Sequence, residues 1–146
     1  MLSPQSYTVL IVDDNPDLLE FLSMSLRHFG PFTIVGAANG IDGLEQALKL
    51  HPACVVIDVK MPGLNGYQLA STLRGDPATA AIPLVILTAL ALDKHQFIGL
   101  ASGADRYLVK PVEPQDLAEV IEEVIAITQQ ERAQRFNKLV EDKAFE

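Results

Sequence analysis

The sequence predicts an α/β domain built on a parallel sheet, and two observations carry that prediction. Five short apolar runs, at 8–12, 32–37, 53–58, 83–88 and 105–109, alternate with segments of helical pattern. Three of these runs are almost continuously apolar and β-branched, as strands buried on both faces must be. Alternation at this spacing places helices on both faces of one sheet. Right-handed crossovers then bring every loop that follows a strand to a single edge, where such folds bind ligands.

The runs are TVLIV, FTIVGA, ACVVID, PLVILT and DRYLV. The second and fifth are less apolar and suit the sheet edges. The segments between them carry helix start and stop signals. Asn15 followed by Pro16 reads as an N-cap and first helical residue of a helix to about Phe29, stopped by Gly30 and Pro31. Asn39 caps a second helix with Asp42 in its first turn and Leu44, Ala47 and Leu48 inward, ending before Pro52. A third follows Gly66, with Leu69, Ala70 and Leu73 inward. A fourth is expected over about 93–102, carrying Gly99 and closed by Gly103, and a fifth opens at Glu113-Pro114.

A chain of 146 residues, 49% hydrophobic, suits one domain with a sizeable core. Its net charge of -8 disfavours direct nucleic-acid binding. The single cysteine, Cys54, excludes an internal disulfide and reads as a small core residue. MLSPQSYTVL lacks the pattern of a signal peptide. No apolar stretch approaches the roughly 20 residues of a membrane span. The expected location is cytoplasmic, with no membrane partner. His28, His51 and His95 show no ligand spacing and read as surface or loop residues.

The polar residues that interrupt the strands all fall at their C-terminal ends. Asp13 and Asp14 end the first strand, Asp58 the third and Thr88 the fourth, and Lys110 follows the fifth. Each alone has an ordinary reading as a helix-start acid, a turn residue or a solvated lysine. Their coincidence on one edge does not. Clustered carboxylates repel one another unless a cation sits among them. Oxygen-only ligands suit a hard divalent ion, Mg²⁺ before Ca²⁺. Lys110 adds a point charge for a phosphate oxygen and Thr88 a hydroxyl donor. A carboxylate nucleophile, a divalent metal, a lysine and a hydroxyl meet the needs of phosphoryl transfer. Met61-Pro62-Gly63 and Asn65-Gly66 supply the turn that lets backbone approach the site.

Asp13-Asp14 after an apolar strand, VVIDVKMPGLNG around Asp58, LTA at Thr88 and YLVKP at Lys110 together resemble the receiver domains of two-component response regulators. The resemblance covers about 7–127 and departs from the family at none of these markers. It implies a flavodoxin-like five-stranded sheet of order 2-1-3-4-5 with five helices. It implies that Asp58 takes a phosphoryl group from a histidine kinase or phosphotransfer protein. Asp13, Asp14, Asp58 and the backbone carbonyl of Lys60 would hold Mg²⁺, and Lys110 would bind the acyl phosphate. Thr88 and Tyr107 would be the switch pair, and the Lys110–Pro111 bond would be cis. The domain would catalyse only its own phosphorylation and dephosphorylation, without being a metabolic enzyme, and would control an output domain or partner. Lys60 and Ala89 would tune the lifetime of the phosphorylated state.

Three rivals stay open on sequence alone. An Asp-nucleophile phosphatase of the haloacid-dehalogenase type needs Asp-x-Asp on its first strand, where this chain has adjacent Asp13-Asp14. A receiver-like interaction module that is never phosphorylated would usually lack a marker. A flavin or nucleotide carrier would need a Gly-rich loop after the first strand. The segment 128–146 is free of Pro and Gly and reads as a helical tail that continues the fifth helix. Glu131 and Arg135 stand at i,i+4, and Ala133, Phe136 and Val140 form a short apolar stripe beyond the sheet. That stripe is expected to pair with a second chain in a homodimer or to lead into an output domain.

Overall fold

The computed structural model describes residues 6–89 and 102–144, with side chains of the C-terminal helix described through Ile127 and again at Glu131 and Gln134. Five strands, β1 (Tyr7–Val12), β2 (Phe32–Ala37), β3 (Cys54–Asp58), β4 (Leu84–Thr88) and β5 (Arg106–Val109), form one parallel sheet of order β2-β1-β3-β4-β5. The less apolar second and fifth strands are its edges, as their composition suggests. The order is the flavodoxin-like one.

Among the described residues there are four helices: α1 (Pro16–Leu26), α2 (Gly40–Leu50), α3 (Gly66–Gly75) and α4 (Pro114–Ala144). The helix expected over 93–102, with Gly99 and His95, lies outside the described residues except for its last residue, Ser102, which stands in a turn. So do the side chains of the expected stripe Ala133, Phe136 and Val140.

Strand alternation sorts the core into two layers. Val9 and Ile11, with Val56, Val85 and Leu87, face α1 and α4 through Leu22, Leu26, Leu117 and Ile121. Leu10 and Val12, with Ile57, Leu84 and Ile86, face α2 and α3 through Ala47, Leu69, Ala70 and Leu73. Each of these Val, Leu and Ile side chains removed from water contributes about 1.5–3 kcal/mol.

The helix starts follow local chemistry. Asn15 accepts from the N–H groups of Asp17 and Leu18, Asn39 from Asp42, and Asn65 forms a capping box with Gln68. Several details differ from the sequence reading. Helix α1 ends at Leu26 rather than near Phe29, because the His28 and Phe29 N–H groups turn back to Ser25 and Leu26 in tighter three-residue steps. Leu48 is exposed, because α2 packs through Gly40, Gly43 and Ala47. That approach is too close for larger side chains, and it turns Leu48 to water. The strands β3, β4 and β5 each begin one residue later than the apolar runs suggest. Pro83 has no N–H to give the ladder, and Ala53 and Asp105 make single lead-in bonds to Thr8 and Leu84.

Arg74 ties down the sheet edge opposite the strand C-termini. Its guanidinium donates to the carbonyls of Gly103, Ala80 and Ile82 and pairs with Asp105 at 2.9 Å. The same Asp105 carboxylate accepts the Leu84 N–H at 2.8 Å. One side chain thus joins α3, the start of β4 and the approach to β5.

Candidate functional site: an acidic cluster with a bridging lysine

The register of β1 on β3 pairs Val12 with Ile57, so the next residues, Asp13 and Asp58, lie side by side. Asp14 opens the following loop. One carboxylate oxygen from each of the three aspartates lies within 4.8 Å of the others. Asp13 and Asp58 are buried, at 2% and 7% exposure, while Asp14 is exposed. Asp13 is oriented by the Asn15 N–H, which donates to its Oδ1 at 2.9 Å.

Lys110 reaches this cluster from the end of β5. Its Nζ lies 2.8 Å from Asp58 Oδ1 and 3.5 Å from Asp13 Oδ2. The Lys110 N–H donates to the Thr88 carbonyl at 2.6 Å, so the lysine and the threonine are locked to each other through backbone. Thr88 is itself buried, at 2% exposure, one step beyond the Asp58–Leu87 register pair. The Lys110–Pro111 bond is cis.

The electrostatics follow from burial. Loss of water raises the Asp58 carboxyl above its ordinary value, and Asp13 and Asp14 add to this; Lys110 pulls it down without cancelling the rise. Burial alone would lower the Lys110 ammonium, but the contacts with Asp58 and Asp13 outweigh it and hold its proton more firmly than usual. Three carboxylates against one ammonium leave two negative charges in the cluster. Cys54, by contrast, is a fully buried thiol pushed far up by loss of water, and by Asp105 in second place, and it has no part in the site.

Gly66 fixes the loop that leaves Asp58. A Cβ there would stand 2.4 Å from the Asp58 carbonyl oxygen and 2.8 Å from Val59 Cα, so only glycine lets α3 start this close. Its N–H donates to the Val59 carbonyl at 3.0 Å. Beside it Lys60, Met61, Asn65, Tyr67 and Asp14 line an open cavity of about 590 Å³. Lys60 is therefore a neighbour of the acidic cluster. Tyr107 lies farther off, in register with Ile86 on β5, packed against the α2–α3 core layer and hydrogen-bonded to Tyr67. The sequence reading missed Tyr67, which stands in a loop-to-helix segment with nothing local to pair it with β5.

The response regulator receiver domain model matches residues 9–122. The chain belongs to the response regulator receiver family.

This receiver domain is 38% identical over 118 residues to protein PilH of Pseudomonas aeruginosa, covering 81% of this chain and 97% of that one. It is also 38% identical over 109 residues to the DNA-binding response regulator MtrA of Mycolicibacterium smegmatis. There the match covers 75% of this chain but only 46% of the relative, so the chain spans about half of that longer protein. Among solved structures, the receiver domain of sensor histidine kinase PA1611 from Pseudomonas aeruginosa PAO1 superposes with a TM-score of 0.76 at 26% identity. That likeness covers 84% of this chain and 99% of that one, which carries a magnesium ion coordinated in its active-site cleft. Among the described residues no helix is long and apolar enough to cross a membrane.

Proposed function

We propose that this receiver domain is a phosphorylation-controlled switch whose phosphoacceptor is Asp58. The observation that carries the reading is the contact of Lys110 Nζ with Asp58 at 2.8 Å inside a cluster of three carboxylates. An Asp58 oxygen forms the new P–O bond as the P–N bond to a donor phosphohistidine breaks. The donor imidazole leaves with the electron pair and takes up a proton. Lys110 then moves from the bare carboxylate to an oxygen of the acyl phosphate. Thr88, buried at the end of β4, supplies a hydroxyl to another. This is self-modification by a single nucleophile, so the domain is a signalling partner rather than a turnover enzyme.

The donor set fits a divalent cation. Asp13, Asp14, Asp58 and the backbone carbonyl of Lys60 are hard oxygen ligands, and the cluster's two surplus negative charges match Mg²⁺. When bound, the ion would neutralise charge between the acceptor carboxylate and the incoming phosphoryl group. The magnesium of the PA1611 receiver domain supports the same choice. Thr88 and Tyr107 form the switch pair in this reading, turning phosphorylation into a change at β5. In this reading the partners are cytoplasmic proteins, a histidine kinase or phosphotransfer protein upstream and an output domain or protein downstream. Phe21, Met24 and Phe29 are exposed on and just after α1, which starts beside Asp14. MtrA supports a longer protein as one setting and PilH a stand-alone domain as another.

Incubation with acetyl phosphate should add one phosphoryl group, only with Mg²⁺ present, in a linkage labile to hydroxylamine. Asp14→Ala should lose the Mg²⁺ dependence together with most of the labelling while keeping the fold. Labelling that is indifferent to Mg²⁺ and to Asp14 would refute the metal role.

A further inference from the structure

We propose that Tyr67 is a positioning residue for Tyr107, its hydroxyl holding that ring inward against the Ile57–Ile86 row of the sheet. The inference rests on the reading of Tyr107 as a switch residue and adds the group that sets its resting position.

Tyr67 stands on a rigid mount. It follows Gly66, whose missing Cβ lets α3 begin against the Asp58 carbonyl, and the Gly66 N–H bonds Val59 at 3.0 Å. The reciprocal bonds of Asn65 and Gln68, 3.0 and 2.9 Å, close the first turn around it. Any displacement of the loop after Asp58 therefore carries Tyr67 with it. Tyr107 stands on a lighter mount, a four-residue edge strand with one neighbour and an exposed residue at either end.

Both rings pack on the same core layer, which includes Ile57, Val59, Met61 and Ile86. The register rows Ile57↔Ile86 and Ile86↔Tyr107 place Tyr107 two strands across from the phosphoacceptor strand on that face. The Tyr67 and Tyr107 hydroxyls are hydrogen-bonded to each other, bridging the two mounts. Burial, and next this bond, push the Tyr67 phenol up to about 12. The hydrogen bond exists only while Tyr107 is inward, so it favours that rotamer before any phosphoryl group arrives. A neutral hydrogen bond shifts such a population about 2- to 12-fold. A phosphoryl group then has that much less of the shift to supply.

The test is Tyr67→Phe, which keeps the ring and its packing and removes only the hydroxyl. Aromatic-labelled protein is followed by NMR, alone and with Mg²⁺ and beryllofluoride. The parent should show cross-peaks from the Tyr107 ring to the Ile86 methyls without beryllofluoride. In Y67F the inward-to-outward ratio should fall about 2- to 12-fold, and beryllofluoride should restore it. The alkaline absorbance titration should lose the tyrosine pushed up to about 12. Adding Tyr107→Phe to Y67F should have no further effect on that bond, so the two substitutions should be non-additive. Unchanged Tyr107 cross-peaks in free Y67F, or strict additivity, would overturn the proposal. A Tyr107 ring that ignores beryllofluoride in the parent would instead remove the switch reading, while the free-state comparison still judges the Tyr67 contact.

Discussion

Asp58 is held at a cost. Burial and the neighbouring Asp13 and Asp14 raise its carboxyl above the ordinary value of 3.8, despite the bond from Lys110. A raised acid binds its proton more tightly in the folded than in the unfolded chain. Its contribution to stability is therefore present below the unfolded value and lost as pH rises through the folded one. At pH 7 without metal the charged form is a net liability. Asp58→Asn, of the same shape but neutral, should accordingly raise the Tm at pH 7 in Mg²⁺-free buffer. Each kcal/mol relieved would show as about 2–4 °C. The gain should shrink as pH falls toward 3.8, and Mg²⁺ should raise the Tm of the parent more than that of the variant. A parent that is the more stable of the two at pH 7 without metal would contradict this account. Lys110 behaves in the opposite range. Its raised value places its contribution below the unfolded 10.5, to be lost as pH climbs through the folded value.

Between elements, the site depends on how closely α3 approaches the end of β3. Gly66→Ala would set a Cβ 2.4 Å from a carbonyl oxygen, and both partners are backbone, so neither yields cheaply. The expected cost is about 1–3 kcal/mol, as for overpacking elsewhere. The same push on Val59 and Lys60 should weaken Mg²⁺ binding, read by calorimetry. A variant with unchanged Tm and Mg²⁺ affinity would show that the loop has more slack than the geometry allows. At this scale the sequence is readable where the chemistry is local. Asn15 and Asn39 can be picked out as caps because each satisfies N–H groups two or three residues away, whereas Asn65, read only as a turn residue, also caps α3. Leu48 misleads, because helical periodicity marks an apolar stripe but does not show that α2 approaches the sheet through Gly40 and Gly43. Arg74 and Tyr67 are silent in the sequence for a similar reason. Their partners, Gly103 with Asp105 and Tyr107, come from strands and loops far along the chain.

For the molecule as a whole, alternation of strand and helix shows that the sheet is parallel, and apolar content distinguishes its edges from its centre. The order of the inner strands is not written in periodicity; it entered through resemblance to a known family and stands in the structure as β2-β1-β3-β4-β5. The acidic cluster is legible because Asp13, Asp58 and Thr88 are polar residues that end apolar strands, and a parallel fold collects such ends on one edge. Helix α4 continues to Ala144, past the residues 9–122 matched to the family. If its last turns pair with a second chain, the full chain should sediment as a concentration-dependent dimer and a chain ending at Thr128 as a monomer. Two monomers, with and without beryllofluoride, would leave the segment as a linker.

The central claim is the identity of the phosphoacceptor. The most direct measurement is chemical location of the label: phosphorylation with acetyl phosphate and Mg²⁺, reduction of the acyl phosphate with borohydride, and peptide sequencing by mass spectrometry. The account predicts homoserine at position 58, in the peptide containing Val55, Val56 and Ile57, and no labelling of Asp58→Asn. Homoserine at position 13 or 14, or an Asp58→Asn variant that labels as well as the parent, would contradict it.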